Sequence, residues 1–315
     1  MNYVTLTIDD QKVTVPGNLT VLQAAEKHGI EIPALCYDKA LEIVSSCRLC
    51  IVEIKGSSKL QTSCSTLVSE GMVVYTESER VVKMRKTILQ LILDNHPNDC
   101  LTCEKSGECL LQSYSYRYDV KFRDHDGARR KEVVDTSSPY ILRDGSKCIL
   151  CSKCIRTCAQ VSDRQVLSFA ERGFDTRVVA DADFSLEESK CVSCNRCVSV
   201  CPTGALIDRR AASKGRVWDL EIEEVKCNSC DYGCDFEVIK KNGNNLAVKV
   251  KKPGIGRPLC LKGRLMTELS HVDNPEKPFT KQDGKFVEDS WSGALDLTNI
   301  IEKIDLAEGK KGKGE

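Results

Sequence analysis

Nineteen of the 315 residues are cysteine, and by spacing they fall into five four-ligand sets with none left over. Cys36, Cys47, Cys50 and Cys64 read C-x10-C-x2-C-x13-C. His96 stands four residues before a set of three, Cys100, Cys103 and Cys109, and completes it as H-x3-C-x2-C-x5-C. Cys148, Cys151, Cys154 and Cys158 read C-x2-C-x2-C-x3-C, and Cys191, Cys194, Cys197 and Cys201 repeat that spacing before Pro202. Cys227, Cys230, Cys234 and Cys260 read C-x2-C-x3-C-x25-C. An odd cysteine count does not close a disulfide framework. Met1 to Asp10 carries no basic n-region and no long apolar stretch, so the sequence reads as cytoplasmic, where thiols stay reduced. Thiols at this density in a reducing compartment point to metal.

Composition removes other classes. Lys+Arg and Asp+Glu are both 46, so net charge is zero and binding of a polyanion by bulk charge is excluded. Aromatic residues make up only 5%, few for stacking on bases, and no nucleic-acid partner is expected. The longest apolar stretch, around Ile88 to Leu93, is too short to span a bilayer. No G-x-G-x-x-G loop marks a nucleotide site, and Gly254-Ile255-Gly256 is too weak to count.

The alternative to iron–sulfur clusters is a zinc-stapled scaffold, since isolated C-x2-C pairs are common zinc knuckles. Zinc sites use two short pairs, whereas C-x2-C-x2-C places three thiolates within seven residues. That suits the face of a cubane better than one tetrahedral ion. C-x2-C-x2-C-x3-C-P resembles the bacterial two-[4Fe–4S] ferredoxin signature, whose fourth cysteine serves the other cluster. The resemblance implies crossed wiring: Cys148, Cys151, Cys154 and Cys201 on one cluster, Cys191, Cys194, Cys197 and Cys158 on the other. Ala159 departs from the proline often found at its position.

Read along the chain, the sequence predicts an α+β multi-module iron–sulfur protein. Residues 1–78 open with Val4-Leu6-Ile8 and Val13-Val15 alternating around Asp9-Asp10-Gln11, a hairpin pattern. Thr20 and Gln23 form a capping box before a helix that Gly29 ends. A long loop carries Cys36, Cys47 and Cys50 into a strand at Ile51–Ile54, and Cys64 follows. This order resembles the β-grasp [2Fe–2S] ferredoxins, with the x10 gap of respiratory complex I and iron-only hydrogenases in place of the plant-type x4. Residues 79–118 begin with a capping box at Thr76 and Glu79 and a helix from about Arg80 to Leu93. With His96 and its cysteines they resemble the histidine-ligated [4Fe–4S] module of the complex I large iron–sulfur subunit. His28, His125 and His271 read as ordinary surface or core residues.

Residues 113–140 are polar and read as a connecting loop, with 119–140 as a solvated linker carrying Arg129-Arg130-Lys131. Residues 141–215 hold an internal repeat, Cys148 and Cys191 standing 43 residues apart, each half a ligand loop followed by a short helix. Residues 216–275 resemble the N-terminal [4Fe–4S] domain of molybdopterin oxidoreductases, formate dehydrogenase especially, through Cys227 to Cys234 and Pro258-Leu259-Cys260-Leu261-Lys262-Gly263-Arg264. In that family a lysine at the Lys262 position lies between cluster and pterin. Lys240 to Arg264 holds eight Lys/Arg and no Asp/Glu, either a solvated face or a charge set against an anionic cluster or partner. Residues 276–315 read as a truncated extension and flexible tail.

The module order matches the N-terminal portion of NAD-linked formate dehydrogenase catalytic subunits. The first four sets also match complex I and multimeric iron-only hydrogenases. The resemblance implies one [2Fe–2S] and four [4Fe–4S] clusters and no catalytic site of the chain's own. It implies an electron-transfer subunit of a soluble NAD(P)H-linked, flavin-containing, electron-bifurcating complex of formate dehydrogenase, hydrogenase or transhydrogenase type. The implied partners are a flavin subunit that oxidises NAD(P)H, a further redox subunit and soluble ferredoxin. The competing reading is an N-terminal fragment of a molybdenum or tungsten formate dehydrogenase.

Overall fold

Alternation in the first residues produces the hairpin it predicts. β1 (Tyr3–Ile8) pairs antiparallel with β2 (Gln11–Pro16), from Tyr3↔Pro16 to Ile8↔Gln11. Val4, Leu6, Ile8, Val13 and Val15 face the core. Asp9 (φ 45°) and Asp10 (φ 67°) both take positive φ, as a tight two-residue turn between twisted strands requires. In the computed structural model, residues 2–125, 127–130, 132, 134–227, 234–250, 278–282, 285–295 and 297 are described.

Thr20 caps α1 (Val21–Lys27) in a reciprocal capping box with Gln23. Val21, Leu22, Ala24 and Ala25 bury its inner face. β3 (Ile51–Ile54), β4 (Gln61–Thr62) and β5 (Val73–Tyr75) complete a five-stranded sheet in the order β2-β1-β5-β3-β4. β5 lies parallel to β1, and the other pairings are antiparallel. The stretch between α1 and β3 has no helix or strand, and it carries Cys36 and Cys47.

α2 (Glu79–Asp94) buries Val81, Arg85, Leu89 and Leu93, one stripe at i, i+4 spacing. Its cap differs from the expected Thr76–Glu79 box. Ser78 is the N-cap and its hydroxyl accepts the Val81 amide at 3.3 Å. Thr76 is occupied elsewhere: its amide donates to Asp9 Oδ1 at 2.7 Å and its hydroxyl to the same carboxylate, tying the end of β5 to the hairpin turn. α3 (Leu110–Arg117) extends into the stretch read as loop from residue 113, because Leu111 and Ser115 bury one face against α2.

Within the polar run read as a linker, most described residues are exposed, and Arg130 is docked. Arg130 donates to Thr176 O at 3.0 Å and Cys148 O at 3.3 Å, and its own amide donates to Asn95 Oδ1 at 3.1 Å. β6 (Val134–Asp135) pairs with β7 (Ile141–Asp144), which pairs on its other side with β10 (Leu206–Asp208). Between them the repeat gives α4 (Lys153–Arg156), a π-helical turn at Thr157–Val161, the hairpin β8 (Leu167–Ala170) and β9 (Arg177–Ala180), and α5 (Arg196–Val200). A three-stranded antiparallel meander follows: β11 (Glu221–Lys226), β12 (Asp235–Lys241) and β13 (Asn244–Val250).

Residues 1–267 form one compact unit and residues 268–315 a second. In the second, β14 (Phe279–Gln282) and β15 (Lys285–Glu288) make a hairpin before a helical turn, α6 (Trp291–Ala294), capped by Ser290. The glycine- and lysine-rich tail and His271 lie outside the described residues. Among the described residues no helix is long and apolar enough to cross a membrane.

Candidate metal centres

The first cysteine set is gathered by a loop pinned at both ends. Leu35 and Leu49 are fully buried against Leu89 and Leu93 of α2. Ser45 (φ 52°) and Arg48 (φ 58°) adopt the left-handed conformation on either side of Cys47. The sulfurs associate in two pairs. The Cys47 thiol bonds to Cys36, holding Cys36 well below the usual thiol range and pushing Cys47 up. Cys50 and Cys64 form the same kind of pair, with Cys64 held down and Cys50 pushed up. The Ser63 amide and hydroxyl both bond to Cys50 O, at 3.0 and 2.7 Å, which brings Cys64 back beside Cys50. Two sulfur pairs fit a group with two irons.

The ferredoxin-like repeat carries two cavities. One is lined by Cys148, Cys151, Cys154 and Cys201, the other by Cys158, Cys191, Cys194 and Cys197. Each cavity therefore takes three sulfurs from one half of the repeat and one from the other. The two loops share a backbone signature. Leu150 (φ 54°) and Ser152 (φ 57°) in the first half match Ser193 (φ 47°) and Asn195 (φ 58°) in the second. The Leu150 amide donates to Cys148 Sγ and the Ser193 amide to Cys191 Sγ, each at 3.4 Å. A left-handed non-glycine residue costs roughly 1–2 kcal/mol, and here it turns amides toward sulfur. Cys158 rides on the π-helical turn that extends α4.

Cys151 and Cys154 are buried and the other six thiols are partly buried. Burial pushes Cys148 up to about 11 and Cys151 up to about 12, and drives Cys154 and Cys197 well above the ordinary range. Thiols so placed keep their protons unless a cation replaces them. Among the described residues no group of three or more His, Cys, Asp or Glu side chains could hold a single metal ion. The sulfurs line cavities instead of converging on a point, and such cages fit a multi-iron group.

In the second set, burial raises Cys109 to about 11, with Cys103 and Cys100 contributing in the same direction. His96 is 7% exposed, and burial lowers its pKa, which favours the neutral ring. Its Nε2 is buried and meets no hydrogen-bond partner among the described residues. Nδ1 takes the Asn98 amide at 3.4 Å, a contact near the outer limit of hydrogen bonding that fixes no tautomer. A buried imidazole nitrogen without a partner, in a segment with three thiols, is chemically suited to coordinate iron. His28 and His125 are exposed, and His125 pairs with Asp94 at 2.8 Å.

Of the fifth set, Cys227 and Cys234 are described, and Cys230, Cys260 and Lys262 lie outside the described residues. The Cys227 amide donates to Cys234 O at 2.8 Å, closing the mouth between β11 and β12. Part of the basic face after residue 240 is paired: Lys240 with Glu223, and Lys249 with Glu108 at 3.0 Å.

Contacts between the sets also link ones that are not neighbours in sequence. Arg156 joins the first to the third, donating to Cys36 O at 2.6 Å and Cys151 O at 3.3 Å. The third and second meet at Gly204, where a Cβ would stand 2.8 Å from Cys103 Sγ. Close by, the Leu110 amide donates to Pro202 O at 3.0 Å, and Lys147 bridges Asp99 at 3.1 Å and Asp144 at 3.2 Å. Arg196, 1% exposed, lies near Cys194 and Cys234. Arg85, fully buried on α2, donates to Leu49 O at 3.1 Å and Ile51 O at 2.7 Å, the carbonyls flanking Cys50. Arg85, Lys147, Arg156 and Arg196 were not singled out from sequence. Arg85 alone left a signal, a charge in the apolar stripe Val81-Arg85-Leu89-Leu93.

Parts of the chain match known iron–sulfur families. A 2Fe-2S iron-sulfur cluster binding domain matches residues 2–79. The NADH-ubiquinone oxidoreductase-G iron-sulfur binding region matches 85–123, and a 4Fe-4S dicluster domain matches 147–205. The second G-type subunit of NADH-quinone oxidoreductase from Rhizobium meliloti is 36% identical over 98% of the chain and 36% of its own length. The HndD subunit of NADP-reducing hydrogenase from Solidesulfovibrio fructosivorans is 44% identical over 70% of the chain and 38% of its own length. The chain thus spans little more than a third of these two relatives. A crystal structure of NAD+-reducing [NiFe]-hydrogenase in the H2-reduced state superposes with a TM-score of 0.63 at 31% identity, covering 68% of this chain and 91% of that one. The fold and site define a multi-module iron–sulfur protein with a 2Fe–2S domain and 4Fe–4S domains. The chain belongs to the family of electron-transfer iron–sulfur subunits that includes the large iron–sulfur subunit of complex I and the NAD- and NADP-linked hydrogenases, and it corresponds to their N-terminal iron–sulfur region.

Proposed function

We propose that the chain is the wiring of a flavin-containing, electron-bifurcating NAD(P)H oxidoreductase complex, with five cluster sites. Cys36, Cys47, Cys50 and Cys64 hold a [2Fe–2S] cluster on a β-grasp module. His96, Cys100, Cys103 and Cys109 hold a [4Fe–4S] cluster on a helical module. A bacterial-type two-cluster ferredoxin module holds two more, on Cys148, Cys151, Cys154 and Cys201 and on Cys158, Cys191, Cys194 and Cys197. Cys227, Cys230, Cys234 and Cys260 hold the last, on a molybdopterin-oxidoreductase-type domain. The observation that carries this reading is the pair of four-cysteine cavities, each drawing its fourth sulfur from the opposite half of the repeat. When bound, the clusters supply one-electron carriers. The protein buries their ligands, aims amides at the sulfurs and fixes the contacts between cages.

The first module faces a flavin subunit that exchanges electrons with NAD(P)H. A further redox subunit and soluble ferredoxin take the other ends. The chain alone should not oxidise NAD(P)H, yet after dithionite reduction it should pass electrons to a dye. Mixed with its flavin subunit it should become reducible by NAD(P)H, and Cys47→Ser should slow that reduction while dithionite still reaches the other clusters. Unchanged NAD(P)H reduction in an iron-replete Cys47→Ser protein would remove the first module from the route.

A further inference from the structure

Arg156 ends α4, between Cys154 and Cys158, and is 7% exposed. Its guanidinium is ringed by carbonyl oxygens. Nη1 donates to Glu42 O at 2.5 Å, and Nη2 donates to Cys36 O at 2.6 Å and Cys151 O at 3.3 Å. Nε reaches Ser152 Oγ at 3.1 Å. Among the described residues no carboxylate forms an ion pair with it. A buried cation with dipoles for company and no counter-charge is expensive unless an anion lies near. The two cages it joins offer that anion, since thiolate-ligated clusters are negatively charged overall.

The docking of α4 does not depend on Arg156 alone. Lys153 pairs with Asp38 at 3.5 Å, and the Glu42 amide donates to Gln160 Oε1 at 3.1 Å. Arg156 is the only one of these three contacts that touches ligand residues of both cages. A planar fork can hold several acceptors in fixed directions, which a lysine ammonium on a flexible stem cannot.

We infer that Arg156 is a positioning residue for electron transfer between the first set and the set of Cys148, Cys151, Cys154 and Cys201. The inference rests on the proposed reading of both as iron–sulfur sites. The fork clamps the Cys36 and Cys151 carbonyls at one separation. Its charge favours the reduced, more negative state on both sides. One electron leaves one site and enters the other, with no bond made and no proton exchanged.

The test uses the full chain prepared anaerobically with its clusters, as wild type, Arg156→Met, Arg156→Lys and Arg172→Met. Arg172 is exposed between β8 and β9 and lines neither cavity, and its replacement removes the same charge. The readouts are iron and sulfide content, midpoint potentials from redox titration followed by electron paramagnetic resonance, and the magnetic splitting between the two reduced centres. Arg156→Met should shift both potentials downward and alter the splitting. Arg156→Lys should restore the potentials but not the splitting. Arg172→Met should change neither. An iron-replete Arg156→Met protein with wild-type potentials and splitting would overturn the inference, as would equal shifts in Arg172→Met. Should Arg156→Met lose iron, Arg156→Lys decides: wild-type splitting in an iron-replete sample removes the clamp. Wild-type protein free of iron and sulfide would instead defeat the proposed function, so the two failures are distinct.

Discussion

His96 shows how far a single residue can be read from spacing and where structure adds to it. Its place before three cysteines singles it out, and its buried, unpartnered Nε2 gives that choice a physical basis. As the proposed ligand, His96→Cys should retain iron and shift that cluster's potential downward, because a thiolate adds negative charge where imidazole is neutral. His96→Ala should lose iron from this site first. Electron paramagnetic resonance signals and potential identical in wild type and His96→Ala would refute ligation. The cysteines were legible because chelating loops impose short, fixed spacings. Arg156 and Gly204 were not, because their roles arise from contacts over a hundred residues away in sequence: Arg156 with Cys36, and Gly204 with Cys103. The left-handed Leu150, Ser152, Ser193 and Asn195 were also hidden, since none is glycine and the strain is imposed by the loop.

At the scale of elements, local signals served well where one element satisfies itself. The β1–β2 hairpin and the α1 capping box need only neighbours in sequence. The start of α2 needed tertiary knowledge, since the Asp9 carboxylate takes Thr76 away from the helix and leaves capping to Ser78. Composition also misread Arg130, whose polar surroundings in sequence hide three docking hydrogen bonds. The β11–β13 meander is tied to the second module by Lys249 and Glu108. Burial raises the Glu108 carboxyl, but Lys105 and Lys249 outweigh it and hold the pKa down at about 2, against an ordinary 4.5. A depressed carboxylate stabilises fully above its unfolded pKa, and that share is lost as pH falls through the folded value. Lys249→Met should therefore cost about 1 kcal/mol near neutral pH and raise hydrogen exchange across Asn244–Val250. The difference from wild type should shrink as pH falls from about 4.5 toward about 2. A gap in exchange that is unchanged over that range would rule out the ion pair as the tie.

At the scale of the whole molecule, the described residues pack into four hydrophobic clusters, each of which includes cysteines of the proposed sites. Small modules are marginal by themselves, and in comparable metal domains ligation supplies folding free energy. The buried thiols of the ferredoxin-like region would be left holding protons in a dry interior, so stripping the clusters should unfold residues 141–215 and erase their circular dichroism. The bridges at Arg85, Arg156 and Gly204 join modules that lie apart in sequence. The most direct test of the account is the iron and acid-labile sulfide content of anaerobically prepared protein. One [2Fe–2S] and four [4Fe–4S] sites predict about 18 irons per chain with matching sulfide. About one zinc per four cysteines with no sulfide would contradict it.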